Sequence, residues 1–270
     1  MALTTTPWKI NSQKARLISH FCAFLVVAMW GASFVSTKVL TNHNLGAVEI
    51  YIYRALMAYV LLLIASHKQI RANSWRDEFL FAVCGLCGGS IYFIAENNAV
   101  NYTRVSEVSM ITTLSPLLTT LLIGALYKNE RPGKWTYISS LIAFLGVGCI
   151  VFKDGFSQVT ESDAPDALSA TIGDLLAFGA ACAWAVYAVV LRKVNVTYSA
   201  QFVTRKTFFY GLITALPFWV VSSEPVSPLS QLLIPEVLGN LLFLGLVCSM
   251  GAYVLWAGVM NVLGAITTNN

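Results

Sequence analysis

Charge is scarce in this sequence. Of its 270 residues 11% are Asp, Glu, Lys or Arg, 57% are hydrophobic, and the mean hydropathy is +0.68. A water-facing surface needs about a quarter charged residues. The shortage excludes a soluble single-domain enzyme and a disordered chain. A Walker A sequence is also missing, so the chain holds no phosphate loop for ATP-driven work. Gly146-Val147-Gly148 lacks the third glycine and the preceding strand of a dinucleotide motif. The three histidines, His20, His43 and His67, are too scattered along the chain for a metal site. Cys22, Cys84, Cys87, Cys149, Cys182 and Cys248 all fall in apolar stretches, where free Cys is a small packing residue. Cys84 and Cys87 form a CxxC mid-helix with no βαβ context, which favours packing over redox or metal chemistry. No cofactor is expected. The basic residues form no patch that would bind nucleic acid.

Long apolar runs are what the sequence does have. They recur at about 18–39, 46–66, 78–101, 105–127, 135–153, 172–193, 200–222 and 236–262. A spanning helix needs roughly 20 apolar residues, so the pattern predicts an all-α polytopic membrane protein with about eight complete transmembrane helices. The basic segment before residue 18 resembles a signal-peptide n-region. The run that follows is too long for an h-region and shows no cleavage site, so it reads as an uncleaved first span. With the N-terminus in the cytoplasm, 13 of the 17 Lys and Arg residues fall on the cytoplasmic side, which the positive-inside rule favours. The expected location is a bacterial cytoplasmic (inner) membrane, with the lipid bilayer as surroundings.

Internal repetition is the next signal. Residues 22–38 placed over 176–192, an offset of 154, pair Ala23 with Ala177, Phe24 with Phe178, Trp30 with Trp184 and Val35 with Val189. An offset of 161 pairs Cys87 with Cys248 and Tyr92 with Tyr253. The order and spacing point to duplication. The boundaries are a first repeat over 1–153, an acidic extracytoplasmic linker over 154–171 and a second repeat over 172–270. A five-span unit is odd, so its copy enters the membrane inverted, a transporter architecture with the substrate site between units. The second repeat then holds spans six to eight and the start of span nine. The expectation is a chain truncated before its closing spans; a genuine eight-span protein is the alternative.

Ala28-Met29-Trp30-Gly31-Ala32-Ser33-Phe34, Arg54 in span two, Ser115-Pro116 in span four and the basic hairpin Lys128-Asn129-Glu130-Arg131-Pro132 carry a family likeness. Over nearly the whole chain the sequence resembles the drug/metabolite transporter superfamily, in particular its EamA-type, ten-span members. The resemblance implies two inverted five-helix bundles around a central cavity. It also implies export of amino acids, related metabolites or drugs.

Ionisable groups inside spans are costly unless paired or hydrated, which makes each a functional candidate. Glu96 sits in the polar end of span three, where it either takes a proton or a substrate amino group or is simply hydrated. Asn97 and Asn101 share a helix face, suited to a zwitterion or to stapling helices. Arg54 either holds a carboxylate or, as preferred, pairs with Glu49 or a neighbouring helix. Glu107 and Asp174 open their spans and read as caps. Ser109, Thr112, Thr113, Pro116 and Thr120 form a stripe, read as cavity lining, with Pro116 freeing a carbonyl. Trp30, Trp184, Tyr92 and Tyr253 occupy equivalent places and suit an aromatic cavity wall or ordinary packing. Gly85 and Gly89 form a GxxxG that permits close helix contact and leaves a homodimer open.

The expected function is a secondary transporter exporting small-molecule substrates by alternating access. The rivals are a non-transporting truncated membrane protein and a membrane-embedded enzyme acting on lipid-linked substrates. The topology is checked by cysteine substitution. A cysteine at Gln69 is expected to resist a membrane-impermeant maleimide in intact cells, and one at Asn44 to be labelled. The reverse pattern would invert the orientation.

Overall fold

The computed structural model describes residues 13–127, 133–151, 167–222 and 225–269. The basic hairpin at 128–132 and most of the acidic linker lie outside the described residues. The described chain forms helices α1 (Gln13–Asn42), α2 (Ala47–Ala65), α3 (Trp75–Tyr102), α4 (Val105–Leu126), α5 (Lys134–Val151), α6 (Ala167–Asn195), α7 (Ala200–Ser222), α8 (Pro235–Leu263) and α9 (Ala265–Asn269). Among the described residues there is no strand. Hydrocarbon offers no partner to a backbone N–H or C=O, so a spanning segment must meet these groups within itself, as a helix does. Helices α1, α2, α3, α4, α6 and α8 are long and apolar enough to cross a membrane. Helix α7 is of spanning length, with 23 residues, but carries Arg205, Lys206 and Pro217. The chain is an all-α, multi-pass integral membrane protein.

Local chemistry sets the helix ends. The Ser74 side chain caps α3 by accepting from the Asp77 backbone N–H at 3.1 Å, with Asp77 and Glu78 in the first turn. The α1–α2 turn places Asn44 at φ 61°, a conformation asparagine tolerates. Gly264, at φ 80°, ends α8 and turns the chain into α9. Helix α4 is broken: it runs to Thr112 and restarts at Ser115, with Pro116 in the new first turn. Pro116 has no N–H for the Thr112 carbonyl, and the Ser115 hydroxyl donates to that carbonyl at 2.6 Å instead. The carbonyl freed by the proline is therefore met within its own helix rather than left to the cavity. The sequence reading also missed two π-helical turns, Leu86–Ile91 within α3 and Phe243–Gly251 within α8. At the offset of 161 they overlap.

The helix contacts have an internal symmetry. Helix α3 lies along α6, and α1 lies along α8; α3 packs on α7, and α2 packs on α8; α2 pairs with α7, and α4 touches α9. Exchanging α1, α2, α3 and α4 for α6, α7, α8 and α9 turns this set of contacts into itself.

Glycines let the central helices approach closely. A Cβ on Gly211 would lie 2.1 Å from the Tyr51 hydroxyl oxygen, and one on Gly89 would lie 2.6 Å from it. A Cβ on Gly85 would meet the Gly211 backbone at 2.5 Å, and one on Gly88 the Tyr187 ring at 2.4 Å. The GxxxG face is thus occupied by this chain's own α2 and α7, not presented to a second copy.

Polar clasps tie the ends of this pair. At one end Glu78 accepts from Lys206 at 2.8 and 2.9 Å, from the Tyr210 hydroxyl at 2.5 Å and from the Ala72 N–H at 2.7 Å. Arg205 beside it donates to the Ser66 and Gln69 carbonyls. Tyr198 donates to Asp77 at 2.6 Å, and burial together with this bond pushes its hydroxyl up to about 12, so it stays a donor. At the other end Glu49 accepts from Tyr53 at 2.9 Å and from the Ser227 N–H and hydroxyl, both at 2.8 Å.

Overpacking a tight helix crossing costs about 1–3 kcal/mol. Gly88→Ala is expected to lower the thermal midpoint in detergent by about 5 °C, since about 1 kcal/mol moves a domain of this size by roughly 2–4 °C. Gly179→Ala, where an added Cβ meets nothing within 4 Å, is expected to leave it unchanged or slightly raised.

Candidate functional site

A cavity of about 650 Å³ opens between α1, α4, α6 and α8. One wall is α1, with Phe24, Val27, Trp30 and Phe34; the facing wall is α4, with Ser109, Met110, Thr112, Thr113, Ser115 and Pro116. Helical spacing explains both walls, because residues three, four and seven apart share one face. Tyr92, Trp184 and Trp256 close it on the remaining side, and His20, Thr267 and Thr268 reach it from the chain ends.

Rings form its floor. Trp30 meets Trp184 edge-on at 5.1 Å between centroids and Trp256 at 5.0 Å. Tyr92 meets Trp184 at 5.1 Å, and Tyr253 meets Trp30 at 5.7 Å. The helix exchange that maps Trp30 onto Trp184 also maps Tyr92 onto Tyr253, so these last two contacts are one contact repeated. The Trp30 indole N–H donates to the Cys248 carbonyl at 3.1 Å, which fixes the ring in place. The indole N–H of Trp256, 3% exposed, has no hydrogen-bond partner.

The hydroxyls on α4 have a definite polarity. Ser109 donates to the Ser106 carbonyl at 2.9 Å, Thr112 to Ser109 at 2.8 Å and Thr113 to Met110 at 2.5 Å. Ser115 does the same toward Thr112. Each hydroxyl proton is committed to the helix backbone, and what remains for the cavity is oxygen lone pairs. No Asp, Glu, Lys or Arg is among the described lining residues. The cavity therefore offers hydroxyl acceptors on α4, aromatic faces and the unmet indole N–H of Trp256. Aromatic faces and oxygen acceptors are the chemistry that suits a donor-rich or cationic group beside an apolar body.

The sequence candidates separate into two sets. Trp30, Tyr92, Thr112, Thr113, Pro116 and Trp184 line the cavity. Tyr253, Arg54, Glu96, Asn97 and Asn101 do not. Tyr253 lies beneath the rings, its hydroxyl donating to the Gly88 carbonyl at 2.7 Å. Arg54, 1% exposed, donates from Nε to the Ser249 hydroxyl at 2.9 Å and stacks over the Phe93 ring at 4.0 Å. It does not pair with Glu49, whose oxygens are taken by Tyr53 and Ser227. Glu96 is buried rather than hydrated at an interface, and its Oε2 has no hydrogen-bond partner. Asn97 is buried and donates to the Ala47 carbonyl at 2.9 Å, a staple from α3 to α2. Asn101, one turn on, is exposed. Thr120 is buried and away from the lining, and Glu107 accepts from Thr103 at 2.5 Å. Trp256 went unseen in the sequence because the offset of 161 sets it against Ala95, leaving no repeat signal.

The model of the EamA-like transporter family matches residues 17–152 and again 171–269. An uncharacterized transporter of Archaeoglobus fulgidus is 28% identical over 246 residues, which cover 88% of this chain and 78% of that protein. One of Clostridium kluyveri is 23% identical, covering 91% and 78%. A protein of Streptantibioticus cattleyicolor named as a probable terminal-alkyne amino-acid exporter is 27% identical over 140 residues, 51% of this chain and 46% of its own length. A solved crystal structure shares the fold with a TM-score of 0.62 at 18% identity, covering 93% of this chain and 82% of that one. With both stretches matched by one family model and relatives aligned over most of their length, the chain belongs to the EamA-like transporter family.

Proposed function

We propose that this chain is a secondary transporter that exports amino acids or related small amine-bearing metabolites across a bacterial cytoplasmic membrane, with its N-terminus inside. The observation that carries this reading is the cavity between α1, α4, α6 and α8, with aromatic rings on one side and hydroxyl lone pairs on the other. An ammonium group sits well against indole faces and oxygen acceptors, and an apolar side chain sits well against Phe24, Val27 and Phe34. The amino-acid export named for the Streptantibioticus relative is consistent with this chemistry. The two units, 1–153 and 172–270, are taken as an inverted pair around the cavity, which supports alternating access. The symmetric helix contacts and the twofold match of the family model favour that division.

Counterflow in proteoliposomes tests the reading, using labelled amino acids, nucleosides and sugars. Saturable exchange of amino acids is expected, and exchange of none of the panel by folded protein would end the proposal. Trp184→Ala, which removes the ring at the centre of the cluster, is expected to reduce exchange about ten-fold or more. Deleting a buried aromatic side chain costs about 3–5 kcal/mol, part of it in binding. Glu96→Gln is expected to flatten any dependence of uptake on a pH gradient while exchange at equal pH persists. A pH response unchanged in that variant would remove Glu96 from coupling.

A further inference from the structure

Arg54 does not line the central cavity, yet its contacts lead to two of the cavity's walls. A charge inside a span is costly unless it is paired, and Glu96, likewise buried, lies within electrostatic reach of Arg54. The first wall is reached through α8. The Arg54 Nε donates to the Ser249 hydroxyl at 2.9 Å, and Ser249 lies in the π turn of α8. The residue before it, Cys248, accepts from the Trp30 indole N–H at 3.1 Å through its carbonyl. The Cys248 thiol donates to the Met29 carbonyl at 3.5 Å. The π turn thus grips α1 at two successive residues, and Arg54 grips the π turn. The second wall is reached through α3. The Arg54 guanidinium lies over the Phe93 ring at 4.0 Å, and Phe93 meets Tyr92 edge-on at 4.9 Å. A planar guanidinium stacks on a ring and still donates from its edge, which an ammonium does not do. Trp30 and Tyr92 both line the cavity.

The π turn of α3 shows the same arrangement without the charge. There the Ser90 hydroxyl bonds the Thr214 hydroxyl of α7 at 2.8 Å, and the Gly88 carbonyl accepts from the Tyr253 hydroxyl at 2.7 Å. A pair of hydroxyls is therefore enough to tie a π turn to the neighbouring helix. What the arginine adds is reach, from the turn of α8 to the Phe93 ring on α3. We infer that Arg54 is a positioning residue of the transporter: it sets Trp30 through Ser249 and Cys248, and Tyr92 through Phe93. One side chain outside the cavity then fixes two of the rings that a substrate meets, without touching the substrate. The inference deepens the transport reading above, and its kinetic arm rests on that reading.

The test follows Trp30 by fluorine NMR of the full chain labelled with fluorotryptophan in detergent, with Trp30→Phe assigning its line. Counterflow of labelled L-leucine in proteoliposomes is measured beside it. Ser249→Ala keeps Arg54 and removes its acceptor. It is expected to shift the Trp30 line and to raise the KM for leucine about five-fold, with maximal exchange within about two-fold of the wild type. Ser249→Thr, which keeps the hydroxyl, is expected to restore both. Arg54→Lys, which keeps the charge but not the planar fork, is expected to shift the line as Ser249→Ala does. Thr207→Ala removes a buried hydroxyl bonded to the Val203 carbonyl of its own helix and is expected to change neither readout. A Trp30 line unmoved in Ser249→Ala overturns the proposal. So does a line moved equally by Thr207→Ala, or a loss of maximal exchange at unchanged KM. A shifted line in a protein whose wild type exchanges no amino acid keeps the positioning role and removes the transport reading. Equal leucine exchange by wild type and Ser249→Ala, with the line unmoved, does the reverse.

Discussion

The Tyr51 hydroxyl lies against two glycines at once, Gly89 of α3 and Gly211 of α7. The rest of the structure depends on that approach. In a bilayer, helices gain nothing by hiding apolar surface from water, so association rests on close van der Waals contact. Small residues supply it by letting backbones approach. Here they draw α2, α3 and α7 into one bundle, and Gly245 brings α8 in against Met57 in the same way. The aromatic floor is set on this bundle, since Tyr187 and Tyr253 both pack at Gly88. The clasps of Glu78 and Glu49 then hold the bundle at its two ends.

Much of this was legible in the sequence, for physical reasons. Apolar length identified the helices, because the hydrocarbon thickness sets it. The offset of 154 put Trp30 opposite Trp184, and the two rings meet in the structure. The stripe on α4 was readable from helical periodicity, and its hydroxyls at Thr112 and Thr113 do face the cavity. Pairings between distant segments were the least legible. Arg54 was expected to pair with Glu49, close along α2, or with a neighbouring helix, and the structure shows the second. Its actual partner is Ser249, 195 residues away. Glu96 and Asn97 look alike as polar residues near a helix end. Only the packing shows that one carries an unmet oxygen and the other staples two helices. The π turns left no trace in the apolar pattern, since a wide turn is decided by packing around the helix and not by its composition.

The cavity also shows how a helix surface can be polar without being a hydrogen-bond donor. Threonine and serine on α4 commit their protons to carbonyls three residues back. The α4 surface that results is rich in lone pairs and poor in donors.

The two π-helical turns occupy matching places in α3 and α8, each just before a tyrosine of the ring cluster or containing its approach. A π turn accommodates one residue more than an α turn. If such a turn tightened to α geometry, every residue beyond it would rotate by about 100° about the helix axis. Tyr92 and Tyr253 would swing together, one on each side of the internal axis, and the rings between them would lose their seats in a single step. The helices thus hold a stored quantum of rotation, spent in whole residues and not by degrees.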